Sequence, residues 1–430
     1  FYRPPAALVA GAHGSLMWSR PAAPGVGLPS AARTTTVLYR SRSLAGRPIA
    51  VSGTVSIPRG VPPRGGWPLI TWAHGTTGVA DRCAPSRGEA LSYLSSSLPS
   101  LDHWVAEGYA IARTDYEGLG TPRVHPYLIG RSEGRGVLDA ARAARRLDPH
   151  IGKAFVVMGH SQGGHAALFA AALAPRWTPE LDFRGVTAYA PGSHLLEQVR
   201  AAANLPTGSA EFSTLGGLIL AGAAAVSPDV RPERIVAPGV LPRFSTVYSR
   251  CAGDVGRPDA LGGVPPASLV PPGPAIRALY TVLAGQNPSL HITKPARIVQ
   301  GAVDRLFEEI ERALLDRLHR LRHVGVAGNQ DDRQVAARVE QALLHVEPAD
   351  LRHPQVADQA FAGPRAVAGE KLARRAEGAD LRADALQQFP EHPQRDVVVV
   401  DDMHDGPERR HRHAGPAGLR IVAARVHRHA

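Results

Sequence analysis

The stretch AFVVMGHSQGGHAALFAAALA, residues 154–174, restricts the fold of this chain more than any other. It opens on apolar and β-branched residues, passes through Gly-His-Ser-Gln-Gly, and continues as an alanine-rich run of helix-forming composition. A strand that turns into a helix within one residue forces the residue at the apex into a strained backbone conformation. Gly159 and Gly163, two before and two after Ser161, remove the β-carbons that would collide there, so the hydroxyl is pushed clear of the sheet edge. The helix after this turn aims its N-terminus at the same point, where the backbone amide of Gln162 and the helix dipole can hold a negative charge developing on oxygen. Ser161 is therefore the candidate nucleophile and Gln162 a candidate oxyanion donor. A bare G-x-S-x-G recurs by chance in a chain with 44 glycines; the strand before it and the helix after it give this one its weight. The alternative is an N-cap serine in an ordinary strand-to-helix turn. His160 and His165 flank the turn, but a base supplied from the same turn would be poorly placed, so both are read as packing residues.

Taken in order, the remaining segments alternate strand and helix. Thr35 to Pro58 reads as two β-runs of alternating polarity about a glycine turn. Pro68 to Gly78, PLITWAHGTTG, is an apolar strand ending in His-Gly, and the loop after such a strand commonly supplies an oxyanion amide. The side chain of His74 is read as a strand-end residue bonded to its own loop. Leu101 to Glu107 is helical, and Gly108 to Pro122 is a strand followed by an acidic, glycine-rich turn holding Asp115 and Glu117. Nothing else in the chain supports a paired-carboxylate glycosidase, so that turn is read as a rim-forming loop. The segment 132–149 is an amphipathic helix leading into the strand before Ser161, and Phe183 to Gly192 is the next buried strand. From His194 to about Ser289, apolar helix-like runs alternate with Pro/Gly-rich connectors; that is too long for a loop and reads as a cap or lid over the serine, with an apolar composition suited to an acyl chain. Lys294 to Asp304 returns as a strand ending in Gly-x-x-Asp. Asp304 is the candidate triad acid, because the acid follows the serine in chain order at a strand end.

Composition narrows the partners. With 44% hydrophobic and 20% charged residues the chain is globular, and no run of about eighteen apolar residues marks a transmembrane helix. The net charge of +11 comes from scattered arginines rather than a basic stripe interleaved with aromatics, which argues against nucleic acid and for adsorption to anionic or lipid surfaces. No obligate protein partner is inferred. No metal and no cofactor is expected, for the two cysteines are far apart and no cluster has ligand spacing. The chain starts at Phe1 without a basic-then-apolar leader, so the expectation is a mature secreted chain or a trimmed one. Export would let Cys83 and Cys251 form one long-range disulfide, worth roughly 4 to 5 kcal/mol, against the alternative of two unrelated thiols.

The segments FYRPP, HGTTGVADRCAPS, TDYEGLGTPRVHPYLIGRSEGRGVLDAARA and GHSQGGHAALFAAALAP together resemble the secretory lipase family of α/β hydrolases, over roughly residues 1–304. The resemblance implies a mostly parallel sheet flanked by helices with a helical cap insertion. It also implies an extracellular carboxylic-ester hydrolase acting on lipids or smaller acyl esters. It places the nucleophile at Ser161, the acid at Asp304 and one oxyanion amide at Gln162. The second amide would come from the Asp115 turn rather than the His74 loop; both stay open, with Asp115 preferred. The expected organisation is a hydrolase core over 1–193, a cap over 194–290, the acid-bearing core strand over 291–304, and an atypical tail over 305–430. A rival reading is a non-catalytic binding protein or dead enzyme that keeps the elbow without the base.

The likeness stops after Asp304. From Arg305 to Ala430 there is no serine, threonine, tyrosine, tryptophan or cysteine, while histidine occurs ten times. Folded segments use hydroxyl residues at caps and turns, so the expectation is a frameshifted reading of GC-rich DNA or an unstructured tail, with a genuine appendage as the alternative. The catalytic base is expected at His404, in VVVVDDMHDG, where the tail has its strongest strand signal, with His323 ranked second.

Overall fold

The computed structural model describes residues 1–94, 97–203 and 210–300, together with the backbone of Gly301 and of 397–401. Two compact units divide the chain: Phe1–Val299 with Val400–Ile421, and Gln300–Val399 with Val422–Ala430. The second unit lies almost wholly outside the described residues, and so does the tail beyond 304.

Up to residue 301 the strands are β1 (Leu16–Pro21), β2 (Ala31–Arg42), β3 (Pro48–Pro58), β4 (Trp67–Ala73), β5 (Ala110–Thr114), β6 (Ile151–His160), β7 (Asp182–Tyr189) and β8 (Ala296–Gly301), all in the first unit except the last two residues of β8. In one sheet they run in the order β1-β2-β3-β5-β4-β6-β7-β8. The first three are antiparallel neighbours, with Val37 opposite Gly53 and Tyr39 opposite Val51 across the hairpin that the sequence predicts. β3 pairs antiparallel with β5, and from there to β8 every pairing is parallel. Parallel strands covered on both faces need apolar residues at successive positions. β5 is buried at every residue and β4 at all but Pro68, which is how alanine-containing and β-branched runs with little alternation end up side by side at the centre.

Helix α1 (Ala6–Val9) is a single turn, and α2 (Leu98–Ala106) packs on β5. The two helices that matter for the site are α3 (Gly130–Leu147) and α4 (Gln162–Trp177). α4 buries Ala166, Ala167, Ala170, Ala171 and Ala174, and α3 buries Val137, Ala140, Ala141 and Ala144. Small side chains let these helices approach each other and the sheet closely. A β-carbon at Gly134 would sit 2.9 Å from the Ala170 nitrogen, so glycine there is a packing requirement.

Beyond β7 the chain forms α5 (Leu195–Ala202), α6 (Ala210–Val226), α7 (Pro232–Ile235), α8 (Leu241–Phe244), α9 (Ala252–Val255), α10 (Pro266–Leu269) and α11 (Arg277–Leu283). They enclose a second apolar core around α6, which Val79, Tyr127 and Leu128 join from the loops after β4 and before α3. The apolar runs seen in the sequence are thus packed among themselves. Cys83 and Cys251 are joined by a disulfide across 168 positions. Beside it the Ala252 N–H donates to the Thr77 carbonyl (2.9 Å), and Gly78 bridges Cys251. The segment near residue 251 is therefore stitched to the loop after β4. Among the described residues no helix is long and apolar enough to cross a membrane.

Candidate active site

β6 ends at His160, α4 begins at Gln162, and Ser161 alone makes the turn between them with φ 55° and ψ −117°. That left-handed, sparsely populated conformation costs about 1 to 3 kcal/mol for a non-glycine residue and persists only where its surroundings hold it. They hold it here. The Ser161 N–H donates to the Tyr189 carbonyl at the end of β7 (2.8 Å), and the Ser161 carbonyl accepts from the N–H groups of His165 (3.0 Å) and Gly192 (3.3 Å). The flanking glycines answer to backbone rather than side chains. A β-carbon at Gly159 would lie 2.1 Å from the Gly163 carbonyl oxygen, and one at Gly163 only 1.9 Å from the Ala73 carbonyl oxygen. Both glycines are therefore required by the surrounding backbone, as their spacing about Ser161 predicts.

The loop after β4 lies against this turn. A β-carbon at Gly75 would stand 3.9 Å from that of Ser161. Three contacts fix the loop: Tyr116 donates its hydroxyl to the His74 carbonyl (2.7 Å), His74 Nδ1 donates to the Gly75 carbonyl (2.6 Å), and the Thr76 and Tyr127 hydroxyls share a bond (2.7 Å). His74 is bonded to its own loop, as its sequence position suggests. Its ring packs against Tyr116 with centroids 4.5 Å apart, and its Nε2 is buried without a hydrogen-bond partner among the described residues. Burial pushes its pKa down from 6.5 to about 4, outweighing the Gly75 bond that favours the charged form, so the ring is neutral.

Asp115, which the resemblance puts forward for the second oxyanion amide, has both its backbone N–H and its carboxylate engaged. Its backbone N–H donates to the Ser52 carbonyl (2.8 Å), and its carboxylate accepts from the Ser52 hydroxyl (2.6 Å), the Ser86 N–H (3.0 Å) and the Ser86 hydroxyl. An amide already engaged in this way has no second hydrogen for an oxyanion. Asp115 instead ties β3 and the segment around Ser86 to the end of β5. Burial raises its pKa, and the serine hydrogen bonds offset part of that rise. Glu117, in the same turn, is also raised by burial, and it accepts from Ser132.

The side chain of Gln162 enters a buried polar network that sequence reading missed. Its Nε2 donates to His125 Nε2 (2.8 Å) and to Glu133 Oε1 (2.8 Å). His125 Nδ1 in turn donates to the Glu117 carbonyl (2.8 Å), which leaves Nε2 as an acceptor and the ring neutral; burial lowers its pKa against the pull of Glu133. Glu133 Oε1 also accepts from the Leu128 N–H (2.9 Å), while Oε2 faces His165 Nδ1 (3.4 Å). His165 Nε2 donates to the Gln286 carbonyl (2.8 Å), and His165 is buried, so it does pack beside the elbow, with polar partners at both nitrogens. The cue in the sequence was Glu133 itself. It stands in register with Val137, Ala140, Ala141 and Ala144, a carboxylate on the core stripe of an amphipathic helix, where burial demands partners. Asp304, His404 and His323 lie outside the described residues.

Residues 96–239 match the secretory lipase family. Among curated proteins, one named "Probable inactive lipase" from Mycobacterium tuberculosis (strain CDC 1551 / Oshkosh) is 30% identical over 238 residues, covering 53% of this chain and 49% of that protein. Lipase A of Moesziomyces aphidis is 26% identical over 202 residues, covering 44% and 41% respectively. The chain thus spans about half, or less, of the length of the curated relatives it matches. The closed-state structure of Candida antarctica lipase A superposes with a TM-score of 0.59 at 19% identity, over 73% of this chain and 76% of that one. A ligand-bound form of the rice cell wall degrading esterase LipA from Xanthomonas oryzae gives 0.54 at 18% identity, over 71% and 89%. At such identities the likeness is one of fold, and the fold is that of the α/β hydrolases.

Proposed function

We propose that this chain is a secreted carboxylic-ester hydrolase of lipase or esterase type that works through Ser161 and an acyl-enzyme. The observation that carries the reading is the left-handed backbone of Ser161 between β6 and α4 with glycine enforced on both sides. In the reaction the Ser161 hydroxyl attacks the ester carbonyl while a neutral histidine takes its proton. The oxyanion is held by the Gln162 amide, one of the first N–H groups of α4 and so without an acceptor inside the helix. The second donor comes from the Gly75–Thr76 turn, which adjoins Ser161, in place of the engaged Asp115 amide. The histidine returns its proton to the departing alcohol, and water then releases the acid by the same steps.

The acid and base are assigned to Asp304, soon after β8, and His404, with His323 as the second choice for the base; chain order after the serine supports them. The substrate is a lipid or smaller acyl ester. Export is supported by the description of the matching family and by the long-range disulfide, since such bonds persist in oxidising compartments. The test is hydrolysis of 4-nitrophenyl esters of graded chain length by the wild type and by Ser161→Ala, Asp304→Asn, His404→Ala and His323→Ala. Loss of Ser161 should lower the rate by roughly ten-thousand-fold or more. Loss of the true base should do nearly as much, whereas equal rates for wild type and Ser161→Ala would end the reading. No hydrolysis by either would favour a non-catalytic scaffold, the condition that the name of the mycobacterial relative describes for that protein.

A further inference from the structure

Gln162 has two roles that share one residue. Its backbone N–H begins α4 beside Ser161, and its side chain, on a residue only 2% exposed, points into the protein to a carboxylate on α3 and an imidazole on the loop before α3. Each amide hydrogen on Nε2 has its own acceptor, and Oε1 is buried with none among the described residues. The orientation of the side chain therefore depends on those two acceptors alone. Both are themselves fixed. His125 is oriented by its bond to the Glu117 carbonyl and by stacking on Tyr116, with centroids 5.4 Å apart and planes 9° apart. Glu133 takes the Leu128 N–H on the same oxygen and faces His165 with the other, so it meets α4 at Gln162 and again one turn on.

We propose that Glu133 and His125 are positioning residues for the reaction: by taking both hydrogens of the Gln162 side-chain amide they fix the first turn of α4, and with it the backbone N–H that receives the oxyanion. This rests on the ester-hydrolase reading above. Neither residue reaches the substrate; each acts through Gln162. The oxyanion forms only as the transition state is approached, so loosening this turn lowers kcat and leaves KM nearly unchanged.

The test compares Glu133→Ala, Glu133→Gln and His125→Phe in the full-length protein, with two readouts. The first is hydrogen exchange of the peptide covering 154–176, which needs no catalysis; the second is kcat and KM on a 4-nitrophenyl ester. Glu133→Ala should speed exchange in the first turn of α4 and lower kcat on the order of 10 to 100-fold, since misplacing a reacting group by about 1 Å costs that much. His125→Phe keeps the ring over Tyr116 and removes the acceptor, so it should move both readouts the same way. Glu133→Gln should recover most of the loss. Its carbonyl oxygen can still accept from Gln162 and Leu128, and its NH2 can donate to His165 Nδ1, whose ring keeps its hydrogen on Nε2 for Gln286. The proposal is overturned if exchange and kcat stay at wild-type values in Glu133→Ala, if KM rises while kcat holds, or if Glu133→Gln is as impaired as Glu133→Ala. Equal ester rates for wild type and Ser161→Ala would instead overturn the hydrolase reading, and exchange would still decide whether the clamp holds α4.

Discussion

Replacing Gly163 by alanine should destabilise the fold and disable the site together. An ideal β-carbon at this position lies 1.9 Å from the Ala73 carbonyl oxygen, 2.4 Å from its carbon and 2.7 Å from the His74 carbonyl oxygen. All three are backbone atoms at the end of β4, so no side chain can swing aside. Since real β-carbons essentially never come within 3.0 Å of a non-bonded heavy atom outside their own and neighbouring residues, α4 and the end of β4 must separate by about 1 Å. Overpacking of this kind typically costs about 1 to 3 kcal/mol, which leaves a domain of ordinary stability folded. The same displacement carries the Gln162 amide away from the developing charge, and about 1 Å there costs on the order of 100-fold in kcat. Urea unfolding and ester kinetics on Gly163→Ala would measure both effects. Gly239→Ala is the control, because no atom lies within 4 Å of its ideal β-carbon; it should stay within about 0.5 kcal/mol of wild type. A Gly163→Ala protein with the wild-type unfolding midpoint and kcat would refute the reasoning.

Two further outcomes concern buried groups. Converting both Cys83 and Cys251 to serine opens a loop closed over 168 positions and should cost about 5 kcal/mol on the chain-entropy model. Chemical denaturation with and without reductant reads this, and an intact mass that gains no hydrogens on reduction would deny the bond. His74 titrates near 6.5 when unfolded and at about 4 in the fold. Between those values the unfolded chain binds more protons, so this contribution is complete above pH 6.5 and falls away by about 3 kcal/mol as the pH drops to 4. His74→Phe keeps the ring packed on Tyr116 and removes the titration, so its stability should decline less than that of the wild type between pH 7 and pH 4.5; parallel declines would assign the loss to other groups.

The elbow was legible because its determinants are local. A β-branched run, two glycines and an alanine-rich helix lie within about twenty residues; the steric need for Gly159 comes from the turn itself, while the atoms that Gly163 must clear belong to Ala73 and His74 at the end of β4. The strands from β2 to β8 were legible for the same reason, since period and turn residues are short-range signals, whereas β1 (Leu16–Pro21) was not read from the sequence. The Cys83–Cys251 bond was inferred from compartment, and the structure supplies what the sequence lacked: Gly78 and Ala252 bring the two segments together. Contacts set by tertiary approach stayed hidden. Asp115 looked like an oxyanion residue by resemblance, yet whether its amide was free depended on Ser52 in a strand more than sixty residues earlier. The partners of Gln162 come from a loop and a helix that precede it by about thirty residues, and only the misplaced charge of Glu133 on an apolar stripe hinted at them. Position 305 onward offers a composition without hydroxyl side chains, and its strand signal is confined to the VVVVD run at 397–401.

The most direct measurement is covalent labelling of Ser161. The tryptic peptide spanning 154–176, AFVVMGHSQGGHAALFAAALAPR, has Ser161 as its sole hydroxyl-bearing residue, so an adduct on a serine there is assigned without fragmentation. Incubation with an alkyl fluorophosphonate, digestion and mass spectrometry should show one adduct on this peptide in the wild type and none in Ser161→Ala. An unmodified peptide, or an adduct on a different serine while ester hydrolysis persists, would contradict the assignment of the nucleophile.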